Sequence, residues 1–228
     1  MAKGAPVWIT RAHPGAEATA AKVAALGFTP VVDPLLAVAP IAASVDLSGI
    51  AAVAFTSVNG VQAFSKLAGA RDLPVFTVGR ATASAASEAG FSSVSSADGD
   101  VADLARLIAA ARPGPVLWAG AREPAGDLVA MLNDAGVAAR GVAIYETVDR
   151  PPSEATLALL DRPLTVLLHS PRAARVLAEI LRRRPASALR TLCLSEAVAA
   201  PLEALAERGS VAFAPRPDET ALLSLLTA

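Results

Sequence analysis

The groups best suited to chemistry in this chain follow short apolar runs: Thr10-Arg11, Thr56-Ser57, Gly79-Arg80-Ala81-Thr82, Gly120-Ala121-Arg122, His169-Ser170-Pro171-Arg172 and Arg216. They are small, hydroxylic or basic. Where a strand hands over to a helix, such side chains join free helix N–H groups in attracting anions. Each taken alone also reads as a helix cap, and Ser170 followed by Pro171 fits an N-cap and first-turn pair. Gathered around one cleft, they would offer many separated contacts to a large, flexible polyanion. Tyr145, the only tyrosine, is a candidate of another kind. It is either a packing residue with a satisfied hydroxyl or a proton donor, since a phenol keeps its proton at neutral pH.

Spacing excludes several other chemistries. No two glycines stand as G-x-G, so the dinucleotide fingerprint is missing. Gly136 and Gly141 have the spacing of a phosphate loop, but Val142 and Ala143 follow where Lys and Ser or Thr are needed. H-E-x-x-H, C-x-x-C and G-x-S-x-G are absent too. His13 and His169 both fall at strand ends and could approach each other, yet two ligands do not build a metal site. Cys193, the only cysteine, supports neither a disulfide framework nor a thiolate cluster and suits a reducing compartment. No nucleotide, metal or flavin is implied, and no cofactor is expected. Arg182-Arg183-Arg184 ends a helix before Pro185, where cations favour the dipole, and reads as a solvated helix end.

The elements that must position these groups alternate along the chain. Runs at Val7–Thr10, Ala52–Thr56, Val75–Val78, Val116–Ala119, Thr165–His169, Thr191–Leu194 and Val211–Ala214 predict strands, each followed by a helix-like alanine and leucine segment. That order predicts the α/β class, with parallel sheets covered by helices. The chain also repeats itself. Val7-Trp8-Ile9-Thr10-Arg11 aligns without a gap on Val116-Leu117-Trp118-Ala119-Gly120, and the same offset sets Pro34–Val38 against Ala143–Thr147. Phe55-Thr56-Ser57 resembles Leu168-His169-Ser170, and Thr77-Val78-Gly79, with a helix ending at Glu88-Ala89-Gly90, resembles Cys193-Leu194-Ser195, with one ending at Glu207-Arg208-Gly209.

The matches are circularly shifted. Two similar lobes follow, one discontinuous, built from residues 1–33 and 151–228, the other inserted at 46–138. Segments 34–45 and 139–150 then pair as a two-stranded linker, with Val31, Val32, Leu35, Leu36 and Val38 facing Val142, Ile144, Tyr145 and Val148. A cleft between the lobes is the expected ligand site.

Composition narrows the partners. The 228 residues carry 20 basic and 21 acidic side chains, so there is no global field for nucleic acid, and charge is too well mixed with apolar residues for a disordered acidic chain. Hydrophobic residues make up 54%, but 54 alanines supply much of that and no stretch approaches 18 uncharged apolar residues. The start, Met1-Ala2-Lys3-Gly4-Ala5-Pro6, has no apolar signal core. A soluble, cytoplasmic monomer without a membrane partner is expected. Seventeen of the 20 basic residues are arginine, which records codon bias as readily as anion recognition.

In order and spacing the motifs resemble the uroporphyrinogen-III synthase family over essentially the whole chain: Ile9-Thr10-Arg11, Leu26-Gly27 with Val31-Val32-Asp33-Pro34-Leu35, Phe55-Thr56-Ser57-Val58-Asn59-Gly60-Val61, Val78-Gly79-Arg80-Ala81-Thr82-Ala83, Tyr145-Glu146-Thr147 and Ser170-Pro171. The resemblance implies two α/β lobes joined by a two-stranded linker, and a cofactor-free lyase that closes hydroxymethylbilane, a linear tetrapyrrole with eight carboxylates, into uroporphyrinogen III while inverting ring D. It makes Tyr145 the acid that assists hydroxide loss, with Ser57, Thr82 and Ser170 as substrate contacts. Arg11, Arg80, Arg122 and Arg172 are added as carboxylate partners from loop position and charge. Leu194-Ser195-Glu196-Ala197-Val198 departs from the family's Gly-Pro-x-Thr-like turn, so the resemblance carries over no contact from that loop, and Glu196 would repel a carboxylate facing it. The competing readings are a non-catalytic two-lobed binding protein for a polyanion and a nucleotide-sugar-dependent transferase, the latter without a ribose or diphosphate signature.

Overall fold

From the N-terminus the elements are β1 (Pro6–Ile9), α1 (Gly15–Ala25), β2 (Thr29–Val32), β3 (Leu36–Pro40), β4 (Ala52–Phe55), α2 (Val58–Leu67) and β5 (Val75–Thr77). There follow α3 (Arg80–Glu88), β6 (Val94–Ser96), α4 (Val101–Ala111), β7 (Val116–Ala121), α5 (Leu128–Asp134) and β8 (Ala139–Asp149). The rest comprises α6 (Glu154–Ala158), β9 (Leu164–Leu168), α7 (Pro171–Arg183), β10 (Leu189–Cys193), α8 (Glu196–Ala199), β11 (Gly209–Phe213) and α9 (Glu219–Ser224). The computed structural model describes residues 4–13, 15–203 and 209–227. The helix end expected at Glu207-Arg208 and residues 1–3 lie outside them.

All seven predicted strands form, displaced at either end by at most two residues. Val31 and Val32, expected in the linker, belong instead to β2, which pairs in parallel with β1 at Trp8↔Val31 and Ile9↔Val32. The strands group into two sheets, of order β11-β10-β9-β1-β2 and β3-β8-β7-β4-β5-β6. Contacts divide the chain into Met1–Ala37 with Val148–Ala228, and Val38–Thr147.

In the terminal unit β2, β1, β9, β10 and β11 are joined by parallel pairs. Trp8, Val166, Leu168 and Leu177 form a core on the face covered by α7 and α8, and Val7, Ile9, Val23 and Leu222 form one under α1 and α9. Strands buried on both faces in this way read as short continuous apolar runs, which is why they were legible. Where the chain leaves and re-enters this unit, Asp33 accepts from Ser153 N (2.8 Å) and Oγ (2.9 Å) and faces Arg150 at 3.2 Å. Burial pushes the Asp33 carboxyl up, but those hydrogen bonds, that of Thr156 and Arg150 outweigh it and hold the group below its usual range.

The inserted unit repeats the plan. β8, β7, β4, β5 and β6 are joined by parallel pairs. Phe55, Phe64 and Phe91 pack edge-on or tilted in the core beneath α2 and α3, while Leu104, Ile108, Leu128 and Leu132 fill the opposite core beneath α4 and α5. The two sheets share one order: β2-β1-β9-β10-β11 matches β8-β7-β4-β5-β6 strand for strand, as the sequence repeat requires. In each, chain order reverses beside the central strand, between β1 and β9 or between β7 and β4, the place where open α/β sheets leave a crevice at their carboxyl ends. No described helix is long and apolar enough to cross a membrane.

The start of α2 is drawn against β7 at Gly60, where an added Cβ would stand 2.9 Å from the Ala119 carbonyl oxygen. Replacing Gly60 by alanine therefore costs roughly 1–3 kcal/mol in urea unfolding, because a backbone atom must yield. A neutral substitution would show that α2 can lift freely from the sheet.

Candidate active site

In the inserted unit the site grows from β8. Its residues pair one-to-one with β7 up to Gly120↔Ala143, but Ala121 pairs with Tyr145, leaving Ile144 as an extra residue. Side chains alternate faces along a strand, so Ile144 and Tyr145 would ordinarily point apart; a bulge re-aims the second. Both pack in the core beneath α2. Tyr145, 7% exposed, thereby reaches the carboxyl end of β4 and places its Oη 2.7 Å from Ser57 Oγ. Ser57 is also the N-cap of α2 and accepts from Gly60 N at 3.1 Å. One hydroxyl thus caps a helix and orients the phenol. With Ser57 donating to Tyr145, the phenolic proton is free for another acceptor.

Thr82 is buried in the first turn of α3, and Gly79 before it provides no side-chain cap, leaving that helix start receptive to an anion. The predicted arginines are brought to strand ends, and each meets an acid that sequence reasoning did not assign to it. Arg80 Nε donates to Asp98 (2.9 Å), and Arg122 lies 3.5 Å from Glu146 while its backbone N donates to Tyr145 O (2.9 Å). Trp118 was missed as well. Its indole lies over Gly120 and Gly141, where a Cβ would stand 2.2 and 3.0 Å from the ring, and its Nε1 donates to Thr56 Oγ1 at 3.3 Å. The unfilled glycines beside a tryptophan were the signal that could have found it.

In the terminal unit Ser170 caps α7, accepting from Ala173 N at 3.2 Å with Pro171 in the first turn, as expected. Arg172 Nε donates to Asp149 at 2.8 Å, and Arg11 to Glu219 at 3.2 Å. His13 hydrogen-bonds Glu17 at the surface. His169 instead is nearly buried beside Arg11 and Glu219. Among the described residues no group of three or more His, Cys, Asp or Glu could hold a metal. Burial pushes the Cys193 thiol up to about 12, so it serves the core rather than chemistry. Glu196, in the segment that departs from the family pattern, opens α8 and is exposed.

Two doubly wound units of equal strand order, carrying a bulge-directed phenol, strand-end hydroxyls and guanidinium groups, define a duplicated α/β protein. The family model for uroporphyrinogen-III synthase HemD matches residues 17–224, and the chain belongs to that family of tetrapyrrole-biosynthesis enzymes. Solved structures similar to it include uroporphyrinogen-III synthetase from Helicobacter pylori 26695, at 16% identity and a TM-score of 0.66 over 98% of each chain, which shares the fold. A mutant uroporphyrinogen III synthase from the extremely thermophilic bacterium Thermus thermophilus aligns at 18% identity, with a TM-score of 0.48 over 98% of each chain. No curated protein matches the chain.

His169 gives a pH signature. Burial, aided by the Arg11 charge and opposed by Glu219, pushes its pKa from 6.5 down to about 4. The unfolded chain then binds the proton first, so stability falls as pH drops from about 6.5 to about 4. Across that window the protein loses up to roughly 3 kcal/mol more than a His169→Phe variant in urea unfolding. Parallel losses would show that the buried imidazole is not responsible.

Proposed function

We propose that the chain converts hydroxymethylbilane into uroporphyrinogen III, and that Tyr145 is its principal acid. The observation that carries the role of Tyr145 is its 2.7 Å contact with Ser57 at a strand end next to a helix N-terminus. In the proposed step the ring A hydroxymethyl C–O bond breaks as the phenol proton passes to the departing hydroxide, which leaves as water. The azafulvene so formed, still protonated on its pyrrole nitrogen, is attacked by the substituted carbon of ring D. The spiro intermediate fragments and recloses with ring D reversed, and a proton released on rearomatisation restores the phenol. Because the substrate closes spontaneously to the uninverted isomer, geometric control is the larger task.

Ser57, Thr82 and Ser170 are proposed to hold the substrate through hydroxyls and adjoining helix starts. Arg11, Arg80, Arg122 and Arg172 are proposed to exchange their internal acids for substrate carboxylates. Until then each guanidinium stays paired with an acid of the chain. We further propose a cytoplasmic monomer that works without a cofactor and without nucleic acid. The lobe limits 1–33 with 151–228 and 46–138, with 34–45 and 139–150 as linker strands, are proposed as the units that carry these groups.

The decisive assay supplies enzymatically generated hydroxymethylbilane and separates the isomers by chromatography. Type III product is expected, and type I alone would end the proposal. Tyr145→Phe should lower kcat by roughly 10²–10⁴ with KM little changed, the range of a lost general acid. An unchanged kcat, with chemistry shown to limit the rate, would return Tyr145 to a packing role.

A further inference from the structure

Glu219 is held more elaborately than its position requires. It opens α9, a six-residue helix already capped by Asp218, which accepts from Ala221 N at 2.8 Å, and already anchored by fully buried Leu222. Its carboxylate nevertheless receives Arg11 Nη1 at 3.2 Å together with Thr19 Oγ1 and Lys22 Nζ, while His169 Nε2 stands 4.0 Å away. Burial pushes the Glu219 carboxyl up, but Lys22, Thr19 and Arg11 outweigh that and keep it ionised. The Arg11 guanidinium reaches it by crossing Gly15, where an added Cβ would stand 2.6 Å from Nε. The donors come from the end of β1 and from α1, and His169 from the end of β9; β1 and β9 are the strands flanking the point of reversal in this sheet.

His169 is the odd member. Neither buried ring nitrogen has a hydrogen-bond partner among the described residues, although polar groups so placed are normally paired. At 4.0 Å Glu219 is too distant to satisfy it. A carboxylate seated deeper than that of Glu219 would meet Arg11, Thr19 and the imidazole N–H together. We propose that this cluster is a carboxylate-binding subsite, that Glu219 occupies it as an internal stand-in, and that one carboxylate of a polycarboxylate ligand displaces Glu219 and takes up His169. The identity of that ligand as a tetrapyrrole rests on the proposed function; the carboxylate chemistry of the cluster does not.

The probe is uroporphyrin III, a stable octacarboxylate. Removing the competing charge with Glu219→Gln should tighten its binding roughly tenfold in a fluorescence titration, and adding Arg11→Gln should abolish the gain. In wild-type protein with isotope-labelled histidine, the probe should shift the His169 ring resonances and leave those of His13, the only other histidine, in place. The NMR arm needs no variant and decides the matter if Glu219→Gln fails to fold. Equal or weaker binding by a folded Glu219→Gln, or an unmoved His169, overturns the subsite. If the same protein still makes type III product, only the subsite has failed. If it makes type I alone but His169 responds and binding tightens, the subsite stands and the proposed function has failed.

Discussion

β8 holds one residue more than β7 between the Gly120↔Ala143 and Ala121↔Tyr145 pairs, and that residue, Ile144, decides where Tyr145 points. Without the irregularity the phenol would face the core under α4 and α5, on the far side of the sheet from Ser57. With it, two consecutive side chains enter the same core, and a tyrosine comes within hydrogen-bond reach of a serine 88 residues earlier. The parallel order of β4, β7 and β8 supplies the rest. It sends their carboxyl ends to one edge, where Gly60 lets α2 begin close enough for Ser57 to cap the helix and hold the phenol at once.

Duplication gives the same edge twice, but the two copies have diverged in what they place there. Where the inserted unit has Thr56-Ser57, the terminal unit has His169-Ser170, and both serines cap the helix that follows. One copy carries a bulge and a tyrosine. The other carries an imidazole and an arginine gathered around Glu219. The near-zero net charge follows a local pattern: Arg11, Arg80, Arg122 and Arg172 each stand against an acid of the chain. Basic groups held this way pay little desolvation at rest, and they can accept a carboxylate by exchange rather than from an unpaired state.

The α/β class, the seven predicted strands and the strand-for-strand repeat were legible in sequence because largely buried parallel strands leave unbroken apolar runs and an internal sequence repeat keeps register. β6, with Val94 followed by Ser95 and Ser96, left no such run, since it lies at a sheet edge where polar residues are tolerated. The division of Val31 and Val32 from the linker turned on pairing with β1, which no local pattern encodes. Among site residues, Ser57, Ser170 and Tyr145 were readable from type and placement. The bulge was not, because one added residue in an eleven-residue strand changes facing without changing composition. Asp98, Glu146, Asp149 and Glu219 were also hidden, for an arginine's acid is chosen by tertiary proximity.

The central claim is that Ser57 and Tyr145 act as one unit on the leaving hydroxide. A double-mutant cycle of Ser57→Ala and Tyr145→Phe tests it, read as the single-turnover rate of type III product. The account predicts strong non-additivity: each single change slows the reaction, and the double variant is scarcely slower than Tyr145→Phe alone. Additive losses would contradict it, because two independent contacts, not one oriented proton donor, would then explain the rates.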